Sequence, residues 1–279
     1  VVVVGFGGEA VQEYLGDRAE TVVQEQQLGT GHAVMQAEPL LSGLSGTLLV
    51  TCGDTPLVTE DTFRSLLAHH EATQAAATVL TAVMPDPTGY GRVIRNEKGQ
   101  VVKIVEQKDG SPEELAVREV NAGIYCFDME LLWQMLHNVT NNNAQGEYYL
   151  TDIIGMLVDA GKVVSAFAAP DYKETLGVNS RLQMAEAEQV LRRRKLEQLM
   201  TDGVTVIDPN NTYVDTTVSV GRDTVLYPGT ILEGSTVIGE SCQVGPYVRM
   251  TNVVMGSGDH LQFTYAHDCE IKNGCEIGP

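Results

Sequence analysis

Apolar runs separated by glycine-containing turns alternate with helix-like stretches in the first part of the chain. Val1–Val4 is followed by a glycine-rich turn, so it predicts a buried strand that leads into a helix around Ala10–Leu15. Thr47–Thr51 predicts another buried strand, and the helix after it is expected to be capped near Thr59. The pattern is typical of repeated β-turn-α units.

Four further apolar runs extend the predicted sheet. Ala76–Val83 and Lys162–Ala169 are typical of buried strands, while Val93–Arg95 and Val101–Val105 flank a polar turn and predict a hairpin. Strands that alternate with helices favour a mostly parallel sheet covered by helices. The first part of the chain is therefore predicted to be an α/β domain.

The hydrophobic period changes to six residues from Val220 onward. The aliphatic or methionine anchors of this repeat are Val220, Leu226, Leu232, Ile238, Val244 and Met250. The positions two residues before each anchor are mostly small or β-branched: Val218, Thr224, Thr230, Thr236, Cys242 and Val248. This pattern predicts a parallel β-helix of hexapeptide repeats. The next regular anchors are Tyr265, Ile271 and Ile277, so a loop or an irregular coil is expected between Met250 and Tyr265.

A helix-like segment joins the two patterns. Ser180–Met200 has the spacing of an amphipathic helix and ends just before Gly203. Its apolar positions are Leu182, Ala185, Leu191 and Leu199. We predict an α/β domain over residues 1–179, a linker helix over 180–203 and a β-helix domain over 204–279.

Composition narrows the possible partners. The chain has 37 acidic against 18 basic side chains and a formal net charge of −19, which disfavours a nucleic-acid partner. The one basic run, residues 192–195, is expected to be a solvated helix face. The five cysteines include no C-x-x-C pair, which favours a reducing, cytoplasmic setting. The opening apolar run Val1–Val4 is too short for a signal peptide or a membrane span.

The stretch QEQQLGTGH, between an apolar strand and a helix, is a candidate ligand-binding loop. Ligands of open α/β sheets lie beyond the carboxyl ends of the strands, where helix N-termini offer free N–H groups. Gly29 and Gly31 let the backbone approach a flat ring or an oxygen, and Gln24 or Thr30 can supply directional hydrogen bonds. A nucleotide base fits this loop. A glycine-rich turn with Thr30 capping the helix fits it equally, and His32 alone is typical of a structural histidine.

Asp54 is the second candidate. It follows an apolar strand and a glycine, so its carboxylate is expected at the carboxyl edge of the sheet, where a cation that bridges phosphates could bind. An ordinary Asp-Thr-Pro turn explains the same residues. The site hypothesis is favoured because Asp54 occurs together with the segment GYGR, with Glu106 at the end of a hairpin strand, with Asn121 and with the segment GVN.

Seven segments give the chain a resemblance to one family. The chain resembles the bacterial bifunctional N-acetylglucosamine-1-phosphate uridylyltransferase/glucosamine-1-phosphate N-acetyltransferases through QEQQLGTGHA, CGDTPL, GYGRVIR, IVEQKD, VNAGIYCF, NAQGEYYLTDII and ETLGVNSRLQ, in that order and followed by hexapeptide repeats. The match covers essentially the whole chain. GYGR is shared with other sugar-nucleotide pyrophosphorylases, whereas QLGTGHA together with EYYLTD and a C-terminal β-helix is much more specific.

The resemblance implies a fold and a reaction. The fold is a Rossmann-like nucleotidyltransferase domain with a mixed sheet, followed by a linker helix and the start of a left-handed parallel β-helix. The reaction is uridylyl transfer from UTP to N-acetylglucosamine 1-phosphate, which yields UDP-N-acetylglucosamine and pyrophosphate, with Mg²⁺ as the cofactor. The complete protein is expected to be a homotrimer that also acetylates glucosamine 1-phosphate with acetyl-CoA.

The resemblance also assigns roles to residues. Gln24, Gly29 and Thr30 match the residues that bind uracil, and Gly91, Glu106 and Asn121 match those that contact the N-acetylglucosamine moiety. The substrate-binding residues implied by the resemblance also include the turn Cys52, Gly53 and Asp54, and Asn179. Asp54 and Asn179 match the two magnesium ligands. Cys52 stands where the family can carry an aromatic residue, and this change is expected to matter little because the position contributes mainly backbone and packing.

No matched residue acts as a general acid or base, because the sugar phosphate carries its own nucleophilic oxygen. The family opens with a glycine-rich loop that grips the triphosphate, and the sequence contains no such stretch. The acetyl-transfer residues are expected beyond Pro279. We therefore expect an internal fragment with an incomplete uridylyl site and no useful catalysis of its own.

Two other functions remain open. A related nucleotidyltransferase with another nucleoside triphosphate or hexose phosphate should lack the QLGTGHA loop and the acetyltransferase-like coils. A non-catalytic, trimerising hexapeptide scaffold should have lost Asp54 or Asn179. The sequence shows neither loss.

Overall fold

The computed structural model describes all 279 residues of the chain. The chain divides into two compact units, Val1–Gly177 and Val178–Pro279. The helix predicted as a linker is part of the second unit. None of the helices has both the length and the hydropathy of a membrane span.

The first unit contains eight strands and six α-helices. Its strands are β1 Val2–Val4, β2 Thr21–Val23, β3 Thr47–Val50, β4 Ala77–Val83, β5 Arg92–Arg95, β6 Val101–Val105, β7 Glu119–Asp128 and β8 Val164–Ala168. Its helices are α1 Gly8–Leu15, α2 Thr30–Leu41, α3 Glu60–Thr73, α4 Pro112–Leu115, α5 Met129–Leu136 and α6 Asp152–Asp159. The predicted strands, the hairpin and the cap of α3 by Thr59 are confirmed.

The main sheet has six strands in the order β6-β5-β7-β4-β8, with β3 also paired to β7. The prediction of a mostly parallel sheet is wrong, because only the β4–β8 pair is parallel within it. The reversal comes from residues 84–118, which bring the chain back as the ten-residue strand β7, antiparallel to β3, β4 and β5. The mixed sheet implied by the resemblance is confirmed. β1 and β2 form a separate parallel pair.

Alternate residues of β7 form the two sides of the core. Tyr125 and Phe127 pack in one cluster with α5 and α6, whereas Ile124 and Cys126 pack in another with Leu66 of α3. Successive strand residues point to opposite faces of a sheet, so helices cover both faces here. β7 is therefore the central strand of the first unit.

The second unit begins with the helix α7, Arg181–Thr201, capped by Ser180. Its strands are β9 Thr205–Val206, β10 Thr212–Val214, β11 Ser219–Val220, β12 Val225–Leu226, β13 Thr230–Glu233, β14 Val237–Ile238, β15 Gln243–Val244, β16 Arg249–Thr251, β17 Val254–Met255, β18 His260–Leu261, β19 Tyr265–His267, β20 Glu270–Ile271 and β21 Glu276–Ile277. These strands form three parallel sheets, as expected of a β-helix.

The six-residue period is confirmed by burial. Five anchors, Leu226, Leu232, Ile238, Val244 and Met250, are buried, and so are all six positions two residues before the anchors. Thr224 shows why small hydroxyl residues suit the latter positions: its Oγ1 donates to the Gly239 carbonyl at 2.9 Å and accepts from the Cys242 N–H at 3.0 Å. The hydroxyl thus links neighbouring coils inside the β-helix.

The irregular coil predicted between Met250 and Tyr265 is absent. Met255 and Leu261 continue the buried columns, and Ala266 pairs with Met250, whereas Tyr265 is 66% exposed. The coil is shorter instead. Ile231 pairs with Arg249, 18 residues later, whereas Arg249 pairs with Tyr265, only 16 residues later. Shorter turns therefore absorb the change in phase without breaking the β-helix.

The amphipathic pattern predicted for the helix holds only in its second half. Leu182 is 71% exposed and Ala185 is exposed, whereas Leu196 and Leu199 are buried against the first coils of the β-helix. Helical spacing identified the element and the buried Leu199, but it missed Ala187 and Leu196, which the helix also buries. Hydrophobic spacing alone does not show which turns of a long helix have a neighbour.

A buried histidine on α3 makes the stability of the first unit depend on pH. His70 is 4% exposed, and its Nδ1 lies 2.9 Å from the Thr78 hydroxyl. Burial lowers the pKa of His70 below its usual 6.5, and the opposing effects of the Asp128 and Glu71 carboxylates are smaller. The unfolded chain therefore takes up a proton at a higher pH than the folded chain does.

We expect the free energy of unfolding to decrease as the pH falls below the usual histidine pKa of 6.5. Urea unfolding at about pH 7.5 and about pH 5.5 measures the difference. His70→Gln should remove part of it, with His69→Gln as the matched control on the same helix. A slope that persists in His70→Gln but disappears in His69→Gln would contradict the assignment.

Candidate functional site

The glycines of the QLGTGH segment bring its backbone against a second segment. α2 begins directly after Gly29, whose φ of 107° lies in the region that favours glycine. A Cβ at Gly29 would lie 2.7 Å from the Tyr148 carbonyl oxygen, and a Cβ at Gly31 would lie 2.9 Å from it. The close approach expected of these glycines is present, but the group that they approach is the backbone of Tyr148.

Three hydrogen bonds join the two segments. The Gly31 N–H donates to the Tyr148 carbonyl at 2.8 Å, and the Tyr148 N–H donates to the Leu28 carbonyl at 2.7 Å. The Leu150 N–H donates to Thr30 Oγ1 at 3.0 Å. Thr30 thus uses its oxygen as an acceptor, while its hydroxyl hydrogen can still be donated to a ligand.

Gln24 is oriented within the same loop. The residue is 8% exposed, and its Nε2 donates to the Gly29 carbonyl at 3.2 Å and lies 3.0 Å from His32 Nδ1. Because a carbonyl can only accept, the NH₂ group of Gln24 must face Gly29. Its two N–H groups thus lie beside the Gly29 carbonyl and the His32 ring. The amide oxygen is therefore the atom that Gln24 can offer to a ligand.

Asp54 lies in the turn after β3. In this turn the Thr55 hydroxyl donates to the Cys52 carbonyl at 3.2 Å, and the Cys52 thiol contacts the Gly123 carbonyl at 3.5 Å. The Asp54 carboxylate is exposed and forms no ion pair. An accessible carboxylate at a sheet edge is the donor type that Mg²⁺ takes, so the residue fits the predicted role.

Gly91, Glu106 and Asn121 meet at neighbouring strand ends. The Asn121 N–H donates to the Gly91 carbonyl at 2.9 Å, and both Glu106 carboxylate oxygens lie 3.5 Å from the position of a Cβ on Gly91. Asn121 Nδ2 donates to the Tyr125 hydroxyl at 2.7 Å. Tyr125 pairs with Val50, at the end of the strand that leads to the Asp54 turn. The structure thus brings together the three residues predicted to contact the sugar.

Glu106 is held as a hydrogen-bond acceptor in an acidic setting. Burial raises the pKa of its carboxyl, the hydrogen bond from the Thr151 hydroxyl at 3.1 Å opposes this shift, and the carboxylates of Asp109, Asp152 and Glu147 add smaller upward shifts. Negative neighbours favour a ligand that donates an N–H or O–H here. The arrangement suits a hydroxyl or amide group of a sugar.

Several residues of this site were missed by the sequence analysis. Tyr148, Leu150 and Thr151 all belong to the EYYLTD segment, which carried the resemblance but had no pattern that shows what it contacts. Tyr125 had a signal, because it lies four residues after Asn121 on one strand, which places both side chains on the same face.

Asn179 lies in the second unit, just before α7. Its N–H donates to Gln183 Oε1 at 2.8 Å, and the Gln183 N–H donates to the Ser180 hydroxyl at 3.2 Å. These bonds order the start of the helix. Its role as a metal ligand stays a prediction.

Comparison with known families assigns the chain. The family described as "Nucleotidyl transferase" matches residues 2–188. The chain belongs to this family. The matched range includes the QLGTGH loop, the Asp54 turn and the Glu106 cluster, and the family accounts for the α/β architecture.

Similar proteins extend over the whole chain. Three similar proteins are each named "Bifunctional protein GlmU". The proteins of Geobacillus sp. (strain WCH70) and Exiguobacterium sp. (strain ATCC BAA-1283 / AT1b) are 52% identical to the chain, and that of Geobacillus thermodenitrificans (strain NG80-2) is 53% identical, all over 279 residues. These matches cover 100% of the chain and 61%, 61% and 62% of the relatives. The chain thus spans about three fifths of their length, and the resemblance found from its motifs is confirmed.

Gly29→Ala should disrupt the contact between the loop and the Tyr148 segment, because the new Cβ would lie 2.7 Å from a backbone oxygen at a φ of 107°. We expect a loss of about 1–3 kcal/mol in the free energy of unfolding, measured by urea denaturation. Gly53→Ala is the matched control, because a Cβ there meets nothing within 4 Å. Equal stability of Gly29→Ala and the unmodified chain would show that the described packing is wrong.

Proposed function

We propose that the chain carries the uridylyl-transfer site of a protein that makes UDP-N-acetylglucosamine from UTP and N-acetylglucosamine 1-phosphate. The observation that carries this proposal is the joining of the QLGTGH loop to the EYYLTD segment, whose Thr151 also bonds Glu106. One segment thus supports a candidate base site and a candidate sugar site. The name shared by the similar GlmU proteins, "bifunctional", agrees with a transferase domain followed by a β-helix.

The base site is proposed to read uracil through Gln24, Gly29 and Thr30. Uracil carries a hydrogen on N3, which a free amide oxygen can accept, whereas cytosine has an unprotonated N3. Because the Gln24 NH₂ group is occupied by Gly29 and His32, its oxygen cannot be exchanged for a donor without breaking those contacts. This fixed orientation favours uracil over cytosine.

The sugar site is proposed to consist of Gly91, Glu106 and Asn121. Glu106 accepts a hydrogen bond from the N-acetylglucosamine moiety, while Gly91 leaves space beside it. Asn121 keeps one amide hydrogen available, because Nδ2 has two and the Tyr125 hydroxyl takes one. Together these groups bind the sugar and hold its phosphate in a fixed orientation.

Mg²⁺ is the proposed cofactor, with Asp54 and Asn179 as protein ligands. Mg²⁺ prefers oxygen ligands and usually completes its octahedron with substrate phosphates and water, so one carboxylate and one amide are a sufficient protein set. When bound, the ion neutralises phosphate charge. The residues of the chain bind and orient the two substrates, so that the sugar-phosphate oxygen attacks the α-phosphorus of UTP in line and pyrophosphate leaves. Cys52 and Gly53 shape the turn that presents Asp54.

For the whole protein we propose a second activity, the acetylation of glucosamine 1-phosphate by acetyl-CoA on the β-helix, in a cytoplasmic homotrimer. The parallel β-helix of the second unit supports the acetylation on this domain. The five free cysteines support the cytoplasmic setting. The product, UDP-N-acetylglucosamine, would supply the synthesis of peptidoglycan and lipopolysaccharide. No nucleic-acid partner is proposed, in line with the acidic charge.

Asp54→Ala should abolish uridylyl transfer while the fold stays intact, because Asp54 is the only charged ligand proposed for the metal. The assay is pyrophosphate release in a protein in which the chain is completed with the flanking segments of the relative from Geobacillus sp. (strain WCH70). Asp61→Ala, an exposed carboxylate on α3, is the control. Near-normal turnover of Asp54→Ala would refute the metal assignment.

The same completed protein should prefer UTP over CTP, because cytosine would leave the Gln24 oxygen without a donor. An unpaired buried polar group costs roughly 1–3 kcal/mol, which predicts a preference of at least about tenfold in kcat/KM. Gln24→Leu should reduce this preference by removing the reading oxygen. Equal rates with both nucleotides in the unmodified protein would rule out a base-reading role for Gln24.

A further inference from the structure

Arg92, at the start of β5, is a buried arginine whose hydrogen bonds all go to neutral acceptors, while the Asp86 carboxylate attracts it without forming an ion pair. Arg92 is 2% exposed, and its Nε donates to the Leu115 carbonyl at 3.3 Å while Nη2 donates to Gln107 Oε1 at 3.0 Å. Its Nη1 donates to the Tyr90 carbonyl. Buried arginines are usually paired with a carboxylate. This one instead ties together three separate parts of the chain.

Gln107 completes the same arrangement from the other side. Its Oε1 accepts two hydrogen bonds, from Arg92 Nη2 and from the Gly89 N–H, each at 3.0 Å. Gly89 has a φ of 89°, so the backbone at this point needs glycine and has no side chain to anchor it. Gln107 directly follows Glu106 at the end of β6. Two consecutive residues after this strand thus lie against the loop Gly89–Gly91.

The loop Gly89–Gly91 is thereby fixed at each of its three residues. The Gly89 N–H donates to the Gln107 side chain, and the Tyr90 carbonyl accepts from the Arg92 side chain. The Gly91 carbonyl accepts from the Asn121 N–H at 2.9 Å. Because Gly91 has no side chain, the Glu106 carboxylate can lie beside it. The position of the loop relative to Glu106 therefore depends on Arg92 and Gln107.

We propose that Arg92 and Gln107 are positioning residues that hold the loop Gly89–Gly91 beside Glu106 and so set the affinity for the sugar phosphate. This inference rests on the proposed function of the Glu106 cluster. Neither side chain needs to touch the substrate. Arginine suits the position because its planar fork serves three acceptors at once, which the single ammonium group of lysine cannot do in the same geometry.

The test compares two substitutions at Gln107 in the completed protein described above. Gln107→Leu keeps similar bulk but accepts no hydrogen bond, whereas Gln107→Glu can still accept from both Gly89 and Arg92. Gln100→Leu is the matched control, because it makes the same change at the opposite, exposed end of the same hairpin. Dissociation constants for N-acetylglucosamine 1-phosphate and for uridine 5′-monophosphate are measured by ligand-observed NMR titration.

We expect Gln107→Leu to weaken sugar-phosphate binding about tenfold, since two hydrogen bonds are lost, and to leave nucleotide binding within about twofold. Gln107→Glu and Gln100→Leu should bind both ligands like the completed protein without substitutions. Unchanged sugar-phosphate binding by Gln107→Leu would overturn the inference, and so would an equal loss for both ligands. If the completed protein without any of these substitutions binds neither ligand, the proposed function itself fails.

Hydrogen exchange gives a second test that needs no substitution. The Gly89 N–H of the unmodified chain is expected to be protected although Gly89 is exposed, because Gln107 Oε1 accepts it. Protection of Gly89 supports the inference even if Gln107→Leu fails to fold. Exchange of Gly89 at the rate of an unstructured peptide would overturn it.

Discussion

The hydrogen bonds between residues 28–31 and residues 148–150 are the constraint on which the candidate site depends. They are made by backbone groups and by the Thr30 hydroxyl, at 2.7–3.0 Å, and they need glycine at positions 29 and 31 because any side chain there would meet the Tyr148 carbonyl. The same segment continues into Thr151, which holds Glu106. A shift of this one segment would therefore move both the proposed base site and the proposed sugar site.

β7 provides the second fixed support. Its inner residues, such as Ile124 and Phe127, are completely buried, while Asn121 and Tyr125 link it to Gly91 and to the end of β3. Sites supported by packed strands are held more accurately than sites on free loops. Few groups in the site are reactive, which suits a transfer in which the substrate supplies the nucleophile and the protein supplies orientation.

The sequence predicted those features that depend on local periodicity. The six-residue repeat and most strands of the first unit follow from spacing alone, and they are confirmed. Long-range features were harder: the antiparallel pairing of β7 depends on how residues 84–118 return, and the continued coils after Met250 depend on turns that shorten by a residue or two. Gly29 was correctly singled out, but what it approaches is a segment more than one hundred residues away, which no local pattern shows.

The loop from Gln24 to Gly31, in the form fixed by the Tyr148 segment, is proposed as the edge that binds a uracil base. The most direct measurement is the mapping of NMR chemical-shift changes in the ¹⁵N-labelled chain on addition of uridine 5′-monophosphate. The largest changes are expected at the Gln24 side-chain amide and at the backbone of residues 29–31, with little change at Gly91 and Asn121. Changes confined to other parts of the chain, with none at Gln24, would show that this loop does not bind the base.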